Sequence, residues 1–152
     1  MPLYKTITVN SATKVLIWKI EESFDTLLKN IELTAKNTGR LNSMKSILHQ
    51  KGFLSIRHLL KEVVLTDADL DYDAYGKPHL DAGRYISISH SFTFTAIIFS
   101  DNLPVGIDVE KQREKILKIA HKFTPFEEYK TIANVDALIS KLTIVWGAKE
   151  SL

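Results

Sequence analysis

The chain has 152 residues, 45% of them hydrophobic and 25% charged, which is enough for one core of ordinary size or one domain plus part of a second, and which excludes wholesale disorder. With 20 Lys and Arg against 18 Asp and Glu, the formal charge is only +2. That is too small to argue for nucleic acid, so partners must be read from local placement. The absence of cysteine excludes disulfides, thiolate zinc sites and a cysteine nucleophile, and points to the cytoplasm. No basic-then-apolar leader opens the chain, and apolar stretches such as 96–99 are too short to cross a bilayer, so no membrane role is expected.

In chain order, "YKTITVN" and "KVLIWKI" are rich in β-branched and aromatic residues around Asn10-Ser11 and read as a hairpin. Ser23 is positioned to cap a helix reaching about Leu33, while "TAKNTGR", polar and carrying Gly39, reads as a loop. From Leu41 to Val64 the apolar residues recur near helical spacing, which predicts one long amphipathic helix with a break near Gly52.

The rhythm then changes to that of strands. "DLDYDAYGKPHLDAG" reads as two short extended pieces around the turn "YGKP", followed by strands in "RYISISHS", "FTFTAIIFS" and "PVGIDVE". Residues 100–104 are the best linker. "FTPFEEY" has Thr124 as N-cap, Pro125 at the first helical position and Glu127 closing a capping box. A last helix from about Asp136 carries the stripe Leu138, Leu142, Trp146 and then Glu150, a carboxylate where the next core residue should be.

Two more carboxylates stand in an apolar setting. Side chains of a strand alternate in direction, so Asp108 and Glu110 share one face of "VGIDVE" while Ile107 and Val109 share the other. Carboxylates this close repel unless a cation, a proton or a basic group offsets them. Three hard oxygen donors without cysteine or a histidine pair suit Mg²⁺, which binds through a few carboxylates plus substrate phosphates. The plain alternative is an edge strand with a wet face and a frayed helix end. Spacing alone leaves both open. His90 in "SISHSF" is placed to donate to a phosphate or to sit in an ordinary turn; Lys51 and Arg57 suit phosphate or a solvated helix face; Lys77 in "YGKP" suits a ligand or a plain turn.

Taken together, "YGKPHL" (75–80), "ISISHS" (86–91), "VGIDVE" (105–110), "FTPFEEY" (123–129) and "WGAKESL" (146–152) resemble the 4′-phosphopantetheinyl transferase superfamily, with "HQKGFLSIRHLLKEV" similar to the helix before them. The order "GIDVE" then "WxxKE" resembles the larger, monomeric, surfactin-synthetase-activating type. The resemblance implies an α+β fold of two pseudo-symmetric lobes: a complete first lobe of antiparallel strands and a long helix over residues 1–102, and an incomplete second over 103–152. It implies transfer of 4′-phosphopantetheine from coenzyme A to a serine of an acyl or peptidyl carrier protein, with Mg²⁺ held by Asp108, Glu110 and Glu150. Glu150 would be the general base and Lys149 a neighbouring positive charge. Lys77 and Pro78 would touch the adenine, and Ser89, His90, Lys51 and Arg57 the phosphates. The family pattern continues beyond "KES", whereas this chain stops at Leu152, so the expectation includes doubtful activity and self-association of the 152-residue chain. A non-catalytic homologue that binds coenzyme A or a carrier protein is the alternative.

Overall fold

The computed structural model describes residues 3–152. A four-stranded antiparallel sheet is built from β1 (Leu3–Asn10), β2 (Thr13–Lys19), β5 (Tyr85–Ser91) and β6 (Phe94–Ser100), in the order β1-β2-β6-β5. Its register pairs Leu16 with Ile97 and Ile97 with Ile88, so alternate apolar residues of the central strands meet on one face. A second hairpin, β3 (Leu70–Tyr72) with β4 (Pro78–Leu80), flanks the turn at Gly76. The expected hairpin β1-β2, the two extended pieces around "YGKP" and the strands at β5 and β6 are thus present.

The helices are α1 (Phe24–Leu28), α2 (Ala35–Ser43), α3 (Ile47–Glu62), α4 (Lys115–Ile119) and α5 (Val135–Glu150). The side chain of Ser23 caps α1, accepting the amide of Thr26 at 3.2 Å, and the helix ends at Leu28, well short of Leu33. Leu54, Leu59 and Leu60 on α3 are fully buried with Leu16, Trp18 and Ile97 of the sheet. Where α3 crosses β6, Gly52 lets the backbones approach: a Cβ there would stand 3.8 Å from the Thr95 methyl group. Ser55 bonds Thr95 Oγ1 at 2.7 Å at the same crossing.

Three sequence expectations need correction here. "TAKNTGR" is no loop: Thr34 caps α2 through its side chain, and Asn37, inside the helix, reaches the buried Asp67 at 2.9 Å. The long helix breaks at residues 44–46, where Met44 and Ser46 are extended, and not at Gly52, which lies inside α3. The capping box at Thr124 does not form; residues 126–128 make a single 3₁₀ turn, and Thr124 donates to Glu128 at 2.9 Å, not to Glu127.

The fourth correction concerns the site. Residues 104–110 form no strand. They run over the serine side of β5, where the amide of Ile107 donates to Ser87 Oγ at 3.2 Å and that of Val109 to Ser89 Oγ at 3.0 Å. Side-chain hydroxyls stand in for the missing ladder. On its other side the segment meets α5, and it does so through two glycines. A Cβ on Gly106 would lie 1.8 Å from the Ser151 carbonyl oxygen, and one on Gly147 would lie 3.2 Å from Asp108 Oδ2.

Candidate functional site

Strand β5 presents chemistry on both faces. Ser87 and Ser89 point to the segment 104–110, while Ile86, Ile88 and His90 alternate to the opposite face. Each face borders its own cleft.

On the serine face, Asp108, Glu110, Gly106, Gly147, Thr143 and Ser151 are among the residues lining a cleft of about 440 Å³ between segment 106–112 and α5. The Ser89 hydroxyl donates to Asp108 Oδ1 at 3.2 Å. Asp108 Oδ2 is buried and has no hydrogen-bond partner among the described residues. A carboxylate oxygen in that position is costly unless a positive group or a donor meets it. Glu110 lies at the same cleft and is exposed. A hard cation that keeps its waters and takes one or two carboxylates plus phosphate oxygens fits this donor set.

Glu150 stands apart. It is exposed at the last turn of α5 and does not line the cleft, and among the described residues no three His, Asp or Glu side chains gather into a metal-binding group. Upstream of it the expected stripe is real: Leu142 is buried, Leu138 half-buried, and Trp146 meets Phe123 edge-on at 5.2 Å. The stripe reaches solvent at Glu150. The ammonium group of Lys149 donates to the carbonyl of Phe123, which ties α5 to the preceding loop.

On the isoleucine face, a cleft of about 360 Å³ is lined by His90, Pro78 and Arg57, which the sequence singled out, and also by Arg40, His49 and Tyr72, which it did not. His49 and His90 meet edge-on with centroids 6.1 Å apart. Arg40 lies 4.3 Å above the Tyr72 ring and forms no ion pair among the described residues. Its floor is apolar, with Met44, Phe53, Ile56 and Ile88. Cationic and imidazole groups without a carboxylate in the lining, above apolar and aromatic walls, suit an anion attached to a flat ring.

Arg57 serves a different geometry. Its side chain is 2% exposed; Nε donates to Asp67 at 2.8 Å, a second nitrogen donates to the Phe53 carbonyl at 3.2 Å, and the guanidinium lies 3.5 Å over the Phe53 ring. Asp67 also accepts the Thr34 amide at 2.8 Å and Asn37 Nδ2. Burial pushes the Asp67 carboxyl up, but these bonds from Thr34, Asn37 and Arg57 outweigh it and hold the group below its ordinary range. One guanidinium nitrogen of Arg57 is buried with no partner among the described residues. Lys51 and Lys77 line neither cleft, and Ser89 is committed to Asp108 and Val109.

Nothing local in the sequence marks Arg40 or His49. They flank the break between α2 and α3, and only that break brings α2 over the cleft.

Comparison with known proteins bears on the serine-face cleft. Residues 104–152, which contain Asp108, Glu110 and all of α5, match the family model of the 4′-phosphopantetheinyl transferase superfamily. Over 79 residues the chain is 37% identical to the 4′-phosphopantetheinyl transferase gsp of Aneurinibacillus migulanus, an alignment that covers 51% of this chain and 33% of that protein. The chain thus spans about a third of the length of this curated relative. No described helix is long and apolar enough to cross a membrane. Over residues 104–152, about a third of its length, the chain is thus similar to the 4′-phosphopantetheinyl transferase superfamily.

Proposed function

We propose that this chain takes part in transfer of the 4′-phosphopantetheine group from coenzyme A to a serine hydroxyl of a carrier protein, with Mg²⁺ as cofactor. The observation that carries the reading is Asp108: one oxygen is fixed by Ser89, and the other is buried and unpartnered in a cleft shared with Glu110. Asp108 and Glu110 would hold Mg²⁺, which, when bound, neutralises charge on the pyrophosphate at both the attacked phosphorus and the leaving phosphate.

The chain's own groups divide the rest. His90, His49 and Arg40 bind phosphate oxygens of the nucleotide end, and Tyr72 and Pro78 give its adenine an apolar wall. Gly106 and Gly147 allow α5 to close on the carboxylate segment. Glu150 takes the proton of the carrier serine as its oxygen bonds to the β-phosphorus of coenzyme A; adenosine 3′,5′-bisphosphate leaves. Lys149 supplies positive charge beside it. The surfactin-synthetase-activating subtype, the two-lobe arrangement and a cytoplasmic location belong to the same proposal, supported by motif order and by the absence of cysteine.

A second reading is favoured by one observation. Glu150 lies outside the cleft of Asp108 and Glu110, as it would in a homologue that binds coenzyme A or a carrier protein without turnover. A mass-shift assay on a panel of carrier proteins, with coenzyme A and Mg²⁺, separates the two. Transfer is expected to load the carrier with one phosphopantetheine. An unshifted carrier that still co-purifies with the chain would establish the second reading.

A further inference from the structure

Phe92 occupies the first position of the two-residue turn joining β5 and β6, with φ of +53°. Hairpin turns of this length favour glycine or asparagine at positive φ, and a bulky residue there is strained. Strain of this kind persists only where the surroundings hold it in place. Two cations do so here. Lys111 Nζ lies 4.4 Å and Arg113 Cζ 4.7 Å from the centre of the Phe92 ring. Both cations belong to the segment that carries Glu110.

Glu110 makes no hydrogen bond or ion pair among the described residues, and nothing regular surrounds it: residues 110–113 belong to no helix or strand. Its position is set from its two flanks. On one side the Val109 amide is held by Ser89 at 3.0 Å. On the other, Lys111 and Arg113 rest on Phe92. Phe92, Val109, Glu110 and Lys111 line one cavity of about 400 Å³. Removing the ring would leave Glu110 anchored on one side alone.

We infer that Phe92 is a positioning residue: its ring, held at a strained turn, clamps residues 110–113 through Lys111 and Arg113 and so holds Glu110 at the cleft it shares with Asp108. The clamp is a property of the chain alone; its consequence for Mg²⁺ rests on the function proposed above.

The experiment compares the full chain with Phe92→Leu, Phe92→Gly and Phe92→Tyr. Tyrosine keeps the aromatic face, leucine keeps apolar bulk without it, and glycine relieves the turn. Trypsin cleaves after Lys111 and Arg113, so limited proteolysis reads the clamp directly. Cleavage there should be faster by about fivefold in the leucine and glycine variants and unchanged in the tyrosine variant. Calorimetry with coenzyme A should show Mg²⁺-free affinity unchanged in all four proteins, and the Mg²⁺-induced tightening reduced about tenfold in the leucine and glycine variants only. Equal cleavage in all four would overturn the clamp. Faster cleavage with the Mg²⁺ increment intact would overturn the positioning of Glu110. If the unaltered chain itself lacks an Mg²⁺ increment while cleavage follows the pattern above, the clamp stands and the proposed function falls.

Discussion

Gly106 lies against the carbonyl of Ser151 so closely that a Cβ would stand 1.8 Å from its oxygen. Such contact is possible for glycine alone, and it fixes the end of α5 against the segment carrying Asp108. Gly106→Ala must therefore push the two apart. We expect a loss of about 1–3 kcal/mol in stability, measured by chemical denaturation, as for other overpacked sites. Amide exchange should rise in the last turn of α5 more than in α3. A variant as stable as the parent would mean that the segment and the helix move freely.

The Asp67–Arg57 pair is the next test, because it joins α2 to α3. The Asp67 carboxyl is held below its ordinary value of 3.8. A depressed carboxyl stabilises the fold above the unfolded value and loses that contribution as pH falls through the folded one. The parent chain should thus lose stability as pH drops below about 3.8, and Asp67→Asn should lack that part of the slope. At neutral pH the same variant should lose about 3–5 kcal/mol, since Arg57 is left buried and uncompensated. Thermal melts across pH check both signs.

Arg40 gives a prediction on the nucleotide side. It stands free over Tyr72 in the cleft with His49 and His90. Arg40→Ala should weaken coenzyme A by roughly tenfold or more, the worth of a charge-assisted hydrogen bond, and leave 4′-phosphopantetheine binding unchanged. Equal losses for both ligands would move the anion site elsewhere.

Much of this architecture is readable from residue order. Strands β2 and β5 bury alternate residues and β6 is a short β-branched and aromatic run, while α3 carries the helical period, because each is determined locally. Helix α2 is different. Its sequence is polar and contains Gly39, and beyond the Thr34 cap and the buried Leu41 it is tied down by Asn37 reaching Asp67 thirty residues away, a contact no local window contains. Segment 104–110 has strand composition but pairs with serine hydroxyls instead of a backbone ladder, so it reads as a strand and is not one. Alternating Ser87 and Ser89 were the available clue. Asp108 and Glu110, which the structure brings to one cleft, stand out because acid on an apolar run is anomalous; Arg40, His49 and Tyr72 do not, since what gathers them at the other cleft is tertiary.

The central claim is that the buried, unpartnered oxygen of Asp108 waits for a cation that also takes phosphate oxygens. Calorimetric titration of coenzyme A into the chain, with and without Mg²⁺, and into Asp108→Asn under both conditions, tests it most directly. Binding to the parent should tighten by tenfold or more with Mg²⁺, about 1.4 kcal/mol, while Asp108→Asn, which keeps the shape and removes the charge, should bind equally in both. Equal affinity of the parent chain with and without Mg²⁺ would contradict the metal site at Asp108.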